Sequence, residues 1–389
     1  MAWRRQTDKT KRHLSPWAVE NKSQPKHLPN RRQFVVTFDE PHDPLNPQHW
    51  ATWRKFYVSL ISCGATFVAS LNSAIFAAGE TQAKEEFQVG RVVAALGTSL
   101  FILGFAFGPI IWAPGSELIG RRWPLCVGLL GSSIFTVGSA VSRDIQTLII
   151  CRFFAGLFAA SPLCVVPAVL ADMYNNTYRG MAIQFYALTV FGGPFIAPIV
   201  GEYIAASHLG WRWTLYLPAI MGFANLVLGL LFLHETFAPL TLVKKARQLR
   251  DQTGNWAIHA SHERMELDLE AIIRKYITRP LRMLVTEPIV LLVSMYMSFI
   301  YGLVYALLKA YPYVFSHVYG LSVGVRSLPF LGLLLGILLA LLLILSQHQG
   351  YIRKLEENGG KVVPEWRLEP PIVGAIVFPV GSFWYDHLL

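Results

Sequence analysis

Charged residues are scarce in this chain of 389 residues. They make up 15% of it and hydrophobic residues make up 53%, whereas an average soluble domain carries roughly 25% charged residues. The scarcity is concentrated in long apolar stretches that a soluble core of this size does not need. We therefore predict an all-α polytopic membrane protein that contacts membrane lipid.

Motifs for catalysis and metal binding are also missing. The four cysteines (Cys63, Cys126, Cys151 and Cys164) lie inside apolar stretches without Cys-x-x-Cys spacing, which favours buried free thiols over a disulfide framework or a metal site. The chain has no Walker-type glycine loop, no Gly-x-Ser-x-Gly and no His-Glu-x-x-His. ATP-driven export is thus not supported, and we expect neither an enzyme nor a cofactor.

The net charge of +10 reflects basic residues that gather in the N-terminal tail and in the loops. This distribution is typical of cytoplasmic loops rather than of nucleic-acid binding, and we expect no nucleic-acid partner. With alternate crossing, one side holds Arg121, Arg122, Arg179, Lys244, Lys245, Arg247, Arg250, Arg353 and Lys354, and the other mainly Lys84, Arg143 and Arg212. The positive-inside rule then places the N-terminus in the cytoplasm.

The apolar stretches divide the chain into four parts. Residues 1–49 are predicted to be a disordered basic cytoplasmic tail, residues 50–235 a six-span bundle, residues 236–286 a cytoplasmic central loop, and residues 287–389 a partial second bundle. The predicted spans are 56–78, 92–112, 123–141, 148–170, 181–206, 215–233, 289–309 and 328–345.

This layout is typical of two six-span halves related by an axis along the membrane normal. After two spans of the second half, a last apolar stretch begins near Pro371. At roughly 15 residues it is shorter than the ~20 residues that a helix needs to cross a membrane. We therefore expect a complete first half, an incomplete second half and a truncated version of a longer transporter.

The segment 108–122 (Gly-Pro-Ile-Ile-Trp-Ala-Pro-Gly-Ser-Glu-Leu-Ile-Gly-Arg-Arg) joins the second and third predicted spans. We predict a tight turn there, which Gly120 permits, with Glu117, Arg121 and Arg122 beside it. Asp172, at the end of the fourth span, is the natural partner of one of the arginines. Alternatively, both arginines only follow the positive-inside rule.

The Trp-Ala-Pro-x-Ser-Glu-x-x-Gly-Arg-Arg pattern of this segment resembles the fungal twelve-span drug:proton antiporters of the major facilitator superfamily. The resemblance covers about residues 45–384. It implies that Glu117, Gly120, Arg121, Arg122 and Asp172 form an inward gate, whose pairs break when the two halves rock against each other.

Arg152 lies inside the fourth predicted span, in Cys-Arg-Phe-Phe-Ala-Gly. A charge within a span is a functional hypothesis by default, because inserting it at the centre costs ~2.5–3.5 kcal/mol on the translocon scale. Alternatively, the side chain snorkels to the nearby interface. The Arg-Phe-x-x-Gly pattern resembles the fourth-span motif of the antiporters, which implies a role in proton coupling.

The fifth predicted span contains Gly-Gly-Pro-Phe-Ile-Ala-Pro-Ile-Val-Gly at residues 192–201, which resembles the antiporter motif. Gly193, Pro194, Pro198 and Gly201 are expected to break the helix and give a pliable interface; ordinary small-residue packing is the alternative. The resemblance of this motif to that of exporters implies efflux rather than uptake. Glu202 follows directly, as an interfacial carboxylate or as a substrate-facing acid.

Other candidate substrate-facing residues lie in the first and seventh spans. Asn72 is among the polar residues of the first span that we expect to face the bundle. Tyr296, Tyr301 and Tyr305 recur near helical spacing and either line an aromatic cavity for flat organic cations or simply pack. Lys309 stands in Lys-Ala-Tyr-Pro, where relatives often show Glu-x-Tyr-Pro, and this reversed charge bears on substrate or proton handling.

The resemblance implies a transporter of a fungal membrane, expected to be the plasma membrane, that exports drugs or polyamine-like compounds in exchange for protons. The alternatives are a non-transporting truncated product and nutrient uptake by the same fold. His234-Glu235-Thr236 after the sixth span, and residues 253–259 in the central loop, are interpreted as family markers with structural roles.

Overall fold

The computed structural model describes residues 34–39, 43–264, 274–359, 361, 363–367 and 369–387. These residues are helical apart from connecting segments and one isolated β-bridge, which confirms the all-α fold class. The helices are α1 (Thr52–Glu86), α2 (Arg91–Leu118), α3 (Arg122–Ala140), α4 (Ile145–Met173), α5 (Arg179–Ala206), α6 (Trp213–Phe232), α7 (Ala238–Thr253), α8 (Arg279–Thr286), α9 (Pro288–His317), α10 (Phe330–Glu357) and α11 (Glu369–His387).

Within the described residues, eight helices are long and apolar enough to cross a membrane, namely α1–α6, α9 and α10. Each coincides with one predicted span, but several extend further into polar sequence. The turn predicted over residues 108–122 is helical as far as Leu118, so that only residues 119–121 separate α2 from α3. Arg353 and Lys354, predicted in a loop, lie in the last turns of α10.

The first six spans pack closely because glycines lie where helices cross. A Cβ atom on Gly156 of α4 would lie 2.0 Å from the carbonyl oxygen of Phe101 on α2, and one on Gly104 of α2 would lie 2.1 Å from the carbonyl oxygen of Phe153. No side chain fits at either position without moving a helix backbone. These two glycines therefore fix the spacing between α2 and α4.

Helix α5 lies between the two groups of spans. Contrary to the predicted break, it runs without interruption from Arg179 to Ala206, with Pro194 and Pro198 inside it. It packs against α10 in the opposite direction, since Tyr178 near its start contacts His348 near the end of α10, with ring centroids 5.9 Å apart. Helix α5 is thus one continuous surface between the halves.

The chain before α1 differs from the prediction of a disordered tail up to residue 49. Residues 1–33 lie outside the described residues, but Phe34, Val36, Thr37, Asp39 and Asp43 contact the central loop. Lys245 on α7 is buried, and its Nζ lies 2.7 Å from Asp43 Oδ2 and 3.0 Å from Asp39 Oδ2. We call residues 34–49, without the undescribed residues 40–42, the N-terminal arm.

The pKa of the Asp43 carboxyl reflects this packing. Burial alone raises that pKa, but hydrogen bonds from Lys245 and from the backbone N–H groups of Leu45 and Asp39 outweigh burial and lower it overall. The ionised carboxylate is therefore the form that the docked arm stabilises.

The central loop completes a small folded unit with the arm. Helix α7 ends at Gly254, whose φ of +68° terminates it. The following strand-like segment pairs with the arm, because the Val36 N–H donates to the His259 carbonyl at 2.9 Å and the His259 N–H donates to the Phe34 carbonyl at 3.0 Å. Apolar residues recur with a helical period over residues 264–276, which predicts a helix there, but most of these residues fall outside the described ones.

Candidate functional site

The predicted gate residues lie together at one end of the bundle, which we call the Arg121 end. Arg121 is buried, and its Nε donates to Asp172 Oδ2 at 3.1 Å. Its Nη1 donates to Ser116 Oγ at 2.7 Å, and its guanidinium lies 4.7 Å from the centroid of the Phe237 ring. The arginine thus connects the turn after α2 with the end of α4 and with the start of the central loop.

Glu235 is a central residue of this cluster that the sequence argument treated only as a family marker. Its carboxylate accepts four backbone N–H bonds, from Arg121 (2.8 Å), Arg122 (3.3 Å), Thr236 (3.0 Å) and Phe237 (2.9 Å). The acid therefore holds the α2–α3 turn against the segment that follows α6. Its position directly after a span, on the side rich in arginine, was the available signal.

Gly120 is required here for two reasons. Its φ is +96°, and a Cβ atom would lie 2.4 Å from Glu235 Oε2. Glu117 is on the last turn of α2. It accepts a hydrogen bond from the hydroxyl of Tyr276, a residue in the segment before α8. Arg122 directs its Nη2 to the Leu230 carbonyl at 2.7 Å. The cluster therefore reaches both the end of α6 and the segment that leads into the second group of spans.

Arg152 on α4 is fully buried and points into the bundle rather than to the interface. Its Nη1 donates to Asn72 Oδ1 at 2.9 Å, its Nη2 donates to the Asn72 carbonyl at 3.1 Å, and its Nε donates to the Gly97 carbonyl at 2.9 Å. The rings of Phe101 and Phe76 lie 4.3 and 5.4 Å from its guanidinium carbon. Neutral oxygens and aromatic faces thus surround the charge, and no described carboxylate pairs with it.

Asn72 positions this arginine and is itself held in place. Its Nδ2 donates to Thr136 Oγ1 at 2.7 Å, and Thr136 Oγ1 donates in turn to the Ser132 carbonyl at 2.7 Å. The neighbouring Ser73 Oγ lies 2.8 Å from the Tyr305 hydroxyl of α9. Asn72 therefore faces Arg152 and α3, while Ser73 beside it touches the second group of spans.

The fifth-span motif packs on α1. A Cβ atom on Gly193 would lie 2.7 Å from the backbone nitrogen of Leu71, and one on Gly201 would lie 2.9 Å from the Cβ of Ala78. A Cβ atom on Gly192 would meet nothing within 4 Å. Only some small residues of the motif are therefore needed for close approach.

A cavity of about 370 Å³ opens at the other end of the bundle, which we call the Arg326 end. Three predicted site residues line it, Pro198, Glu202 and Lys309. Charged residues that were not predicted as site residues line it as well: Glu80, Lys84, Arg91 and Arg326. Glu202 is 3% exposed. Its Oε2 accepts from Arg326 Nε at 2.9 Å and from the Gly324 N–H at 3.3 Å, and Lys309 pairs with Glu80.

The three tyrosines do not share one surface. Tyr301 contacts the ring of Phe191 on α5, with centroids 5.3 Å apart, and Tyr305 contacts Ser73 on α1. Tyr296 is half exposed and lies in a different cavity beside α11. Of the two alternatives, this placement favours packing over an aromatic cavity lined by all three, and of the three only Tyr301 and Tyr305 lie at the contact between the two groups of spans.

Comparison with known families agrees with this arrangement of helices and motifs. Residues 62–367 match the Major Facilitator Superfamily. The chain belongs to the major facilitator superfamily. The expected family is thereby confirmed, and the chain is a multi-pass membrane protein.

Fungal relatives match most of this major facilitator chain. The major facilitator superfamily multidrug transporter FLU1 of Candida albicans is 45% identical over 93% of this chain and 60% of its own length. The multidrug transporter TPO1_2 of Candida glabrata is 45% identical over 93% of this chain and 62% of its own length. The chain therefore spans about three fifths of the length of these curated relatives.

Solved structures share the fold of this major facilitator chain. The proton:xylose symporter XylE, bound to 6-bromo-6-deoxy-D-glucose, matches with a TM-score of 0.58 and 17% identity over 75% of this chain and 70% of its own. XylE from E. coli in a partially occluded inward-open conformation matches with a TM-score of 0.51 and 16% identity, over 75% and 72% of the two chains. This similarity shows the fold alone.

Proposed function

We propose that this chain is a secondary transporter that exports drug-like organic compounds in exchange for protons. Its family and its similarity to the multidrug transporters FLU1 and TPO1_2 support this proposal. In this function the chain moves a small molecule across the bilayer chemically unchanged and is not an enzyme.

The proposal places the protein in the plasma membrane with its N-terminus in the cytoplasm. The orientation is supported by the basic residues at the Arg121 end, which include Arg121, Arg122, Arg179 and Lys245. The Arg121 end then faces the cytoplasm, and the cavity at the Arg326 end faces outward.

The buried Arg152 is the observation that carries the proposed coupling to protons. A charged arginine in a span is unfavourable, and here three hydrogen bonds to oxygen atoms and two aromatic rings hold it without a described carboxylate. Arg152 therefore places a fixed positive charge between α1, α2 and α4. Such a charge opposes the arrival of a proton nearby and favours its release, which is what an exchange cycle requires.

Alternating access also needs contacts that differ between the two ends. At the Arg121 end, the Arg121–Asp172 pair and the Glu235 carboxylate hold α2, α3 and α4 together. At the Arg326 end, the pairs Glu202–Arg326 and Glu80–Lys309 bridge α1 and α5 to the second group of spans. We propose that transport breaks the bridging pairs while the first cluster moves as a unit.

The test is export from yeast that lacks its own drug exporters and expresses this chain. We expect drug resistance with the intact chain and its loss with Arg152→Lys, because a lysine keeps the charge but cannot serve three oxygens in the same geometry. In vesicles from these cells, we expect drug movement to follow an imposed pH gradient.

Arg143→Gln is the matched control, since Arg143 is an exposed arginine in the turn before α4. Equal surface amounts of all variants are checked by surface labelling. Resistance that survives in Arg152→Lys, or drug movement that ignores the pH gradient, would contradict proton-coupled export. Accumulation rather than extrusion of the drug would point to uptake instead.

A further inference from the structure

The cavity at the Arg326 end has an uneven charge. Among the described residues that line it, the cationic side chains are Lys84, Arg91, Lys309 and Arg326, and the acidic ones are Glu80 and Glu202. Cations thus outnumber acids by two to one in a space that connects α1 and α2 with α9. The cavity therefore carries a positive excess.

Both acids are already occupied. Glu202 accepts from Arg326 at 2.9 Å and is almost fully buried behind that pair, and Glu80 pairs with Lys309. Lys84 and Arg91 are exposed to the cavity, and neither forms an ion pair with any residue that the structure describes. A cationic ligand would have to break an existing pair, whereas an anionic ligand would meet two free cations.

The position of these cations runs against the ordinary pattern of membrane proteins. In the orientation proposed above, the Arg326 end faces outward, where loops normally contain few lysines and arginines. Glu202 and Glu80 account for Arg326 and Lys309, but topology gives no reason for Lys84 and Arg91 to lie there as well. A ligand of the opposite charge would account for these two cations.

The rest of the cavity wall combines apolar residues, among them Ala77, Ala78, Ala94, Pro198 and Leu308, with the polar residues Thr81, Tyr313 and His317. A volume of about 370 Å³ lies within the range of small-molecule sites. The apolar part of this wall suits a compact hydrocarbon body attached to a charged group.

We propose that this cavity binds amphipathic organic anions, with a carboxylate held by Lys84 and Arg91 and an apolar body against α1 and α5. The proposal rests on the transport function proposed above in treating the bound anion as cargo. It replaces the expectation of flat organic cations or polyamine-like compounds with the opposite charge class.

The test compares two probes of similar shape and opposite charge, 1-naphthylacetate and 1-naphthylmethylammonium, with spermidine as a third. Binding to the purified full chain in lipid nanodiscs is measured by titration calorimetry near neutral pH. We expect naphthylacetate to bind at least about tenfold more tightly than the ammonium probe. The attraction between one pair of opposite charges near a protein surface changes a dissociation constant by about this factor. Raising the salt concentration should weaken naphthylacetate binding.

Variants assign the binding to the cavity. We expect Arg91→Gln and Lys84→Gln each to weaken naphthylacetate binding about three- to tenfold, while Arg91→Lys retains most of it. Arg143→Gln removes an exposed arginine at the same end but outside the cavity, and it should leave the affinity unchanged.

Three results would overturn the proposal. Ammonium or spermidine binding as tight as naphthylacetate binding would reverse the charge class, and equal losses in Arg91→Gln and Arg143→Gln would show binding elsewhere. If naphthylacetate does not bind to the folded chain, the cavity is not an anion site. Tight naphthylacetate binding without pH-driven movement in vesicles would instead leave this site intact and contradict the export function.

Discussion

At the scale of single residues, this chain relies on charged groups whose partners are backbone atoms. Arg152 is held by two carbonyl oxygens and the Asn72 amide oxygen, and Glu235 is held by four N–H groups. Such contacts stabilise a charge without needing an opposite charge in the sequence. They also make the charged residue a connector between segments that are far apart in the chain.

Glu235→Ala is predicted to destabilise the Arg121 end. The substitution leaves N–H groups of residues 121, 122, 236 and 237 without their acceptor, and we expect a loss of ~2–3 kcal/mol, as for a hydrogen-bonded charged group. Thermal unfolding of the purified protein measures it. Asp251→Asn, an exposed acid on α7, is the control and should change little. A loss of stability no greater than that of the control would mean that the turn does not depend on this carboxylate.

At the residue scale, some contacts leave a recognisable pattern in the sequence and others do not. The Arg121–Asp172 contact could be expected, because two opposite charges at adjacent span ends leave a visible pattern. For Glu235 the position after a span was the one available signal, because the backbone donors that its carboxylate accepts from are the same in every sequence. Likewise Lys84 and Arg91 read as ordinary polar residues between two spans, and only the fold brings them beside Lys309 and Arg326.

At the scale of helices, the apolar stretches predicted all eight spans but not their ends. Helix α1 continues through polar sequence to Glu86, because Gln82 donates to the Ala205 carbonyl and Lys309 pairs with Glu80. The helix is thus extended by contacts with α5 and α9 rather than by hydrophobicity. The folded arm before α1 was not predicted either, because a polar composition does not reveal the ion pairs that Asp39 and Asp43 form with Lys245.

The motif on α5 contains two adjacent glycines whose substitution by alanine is expected to have different effects on stability. Gly193→Ala places a methyl group 2.7 Å from the Leu71 backbone nitrogen, whereas Gly192→Ala meets nothing within 4 Å. We expect Gly193→Ala to lower stability by ~1–3 kcal/mol through the forced separation of α1 and α5. Gly192→Ala should be neutral or stabilising by up to ~1 kcal/mol. Thermal unfolding of both variants decides, and equal effects would mean that α5 packs on α1 differently.

The N-terminal arm gives a prediction with a defined pH dependence. The pKa of Asp43 is lowered in the folded state, so its contribution to docking is fully present above the unfolded value of ~3.9 and is lost as the pH falls through the lower folded value. We expect hydrogen exchange in the arm to stay slow, after correction for the intrinsic rate, from pH 7 to about pH 5. Below about pH 4 it should accelerate.

Lys245→Met should release the arm already at neutral pH. Removing the lysine leaves the buried Asp43 carboxylate without its cation, and we expect arm exchange to accelerate at least about tenfold. Arg247→Met, an exposed position on the same helix, is the matched control. Arm exchange in Lys245→Met that is as slow as in Arg247→Met would show that the pair does not hold the arm.

At the scale of the whole molecule, separate polar contacts join the two groups of spans. Ser73 contacts Tyr305, and at the Arg326 end Glu202 accepts from Arg326 and from the Gly324 N–H while Glu80 pairs with Lys309. At the Arg121 end, the Tyr276 hydroxyl donates to Glu117. A connection made of separable pairs suits halves that must rock against each other.

The contact between the two groups of spans can be tested at the Glu202–Arg326 pair, because its two side chains differ in exposure. The side chain of Glu202 is 4% exposed and that of Arg326 is 27% exposed. Arg326→Gln therefore strands a buried carboxylate, and we expect it to cost ~2–4 kcal/mol. Glu202→Gln leaves a partly hydrated arginine and should cost ~1 kcal/mol or less.

The double variant Glu202→Gln with Arg326→Gln should be more stable than Arg326→Gln alone, because no charge then remains buried without a partner. Thermal unfolding measures the stabilities, and hydrogen exchange over residues 318–330 reports whether the segment between α9 and α10 has separated from α5. Arg143→Gln at the same end is the control. Equal costs for the two single variants, or costs that simply add, would mean that this pair is solvated and does not join the halves. A recovered double variant with slow exchange would identify the buried carboxylate as the element that draws the second group of spans onto α5.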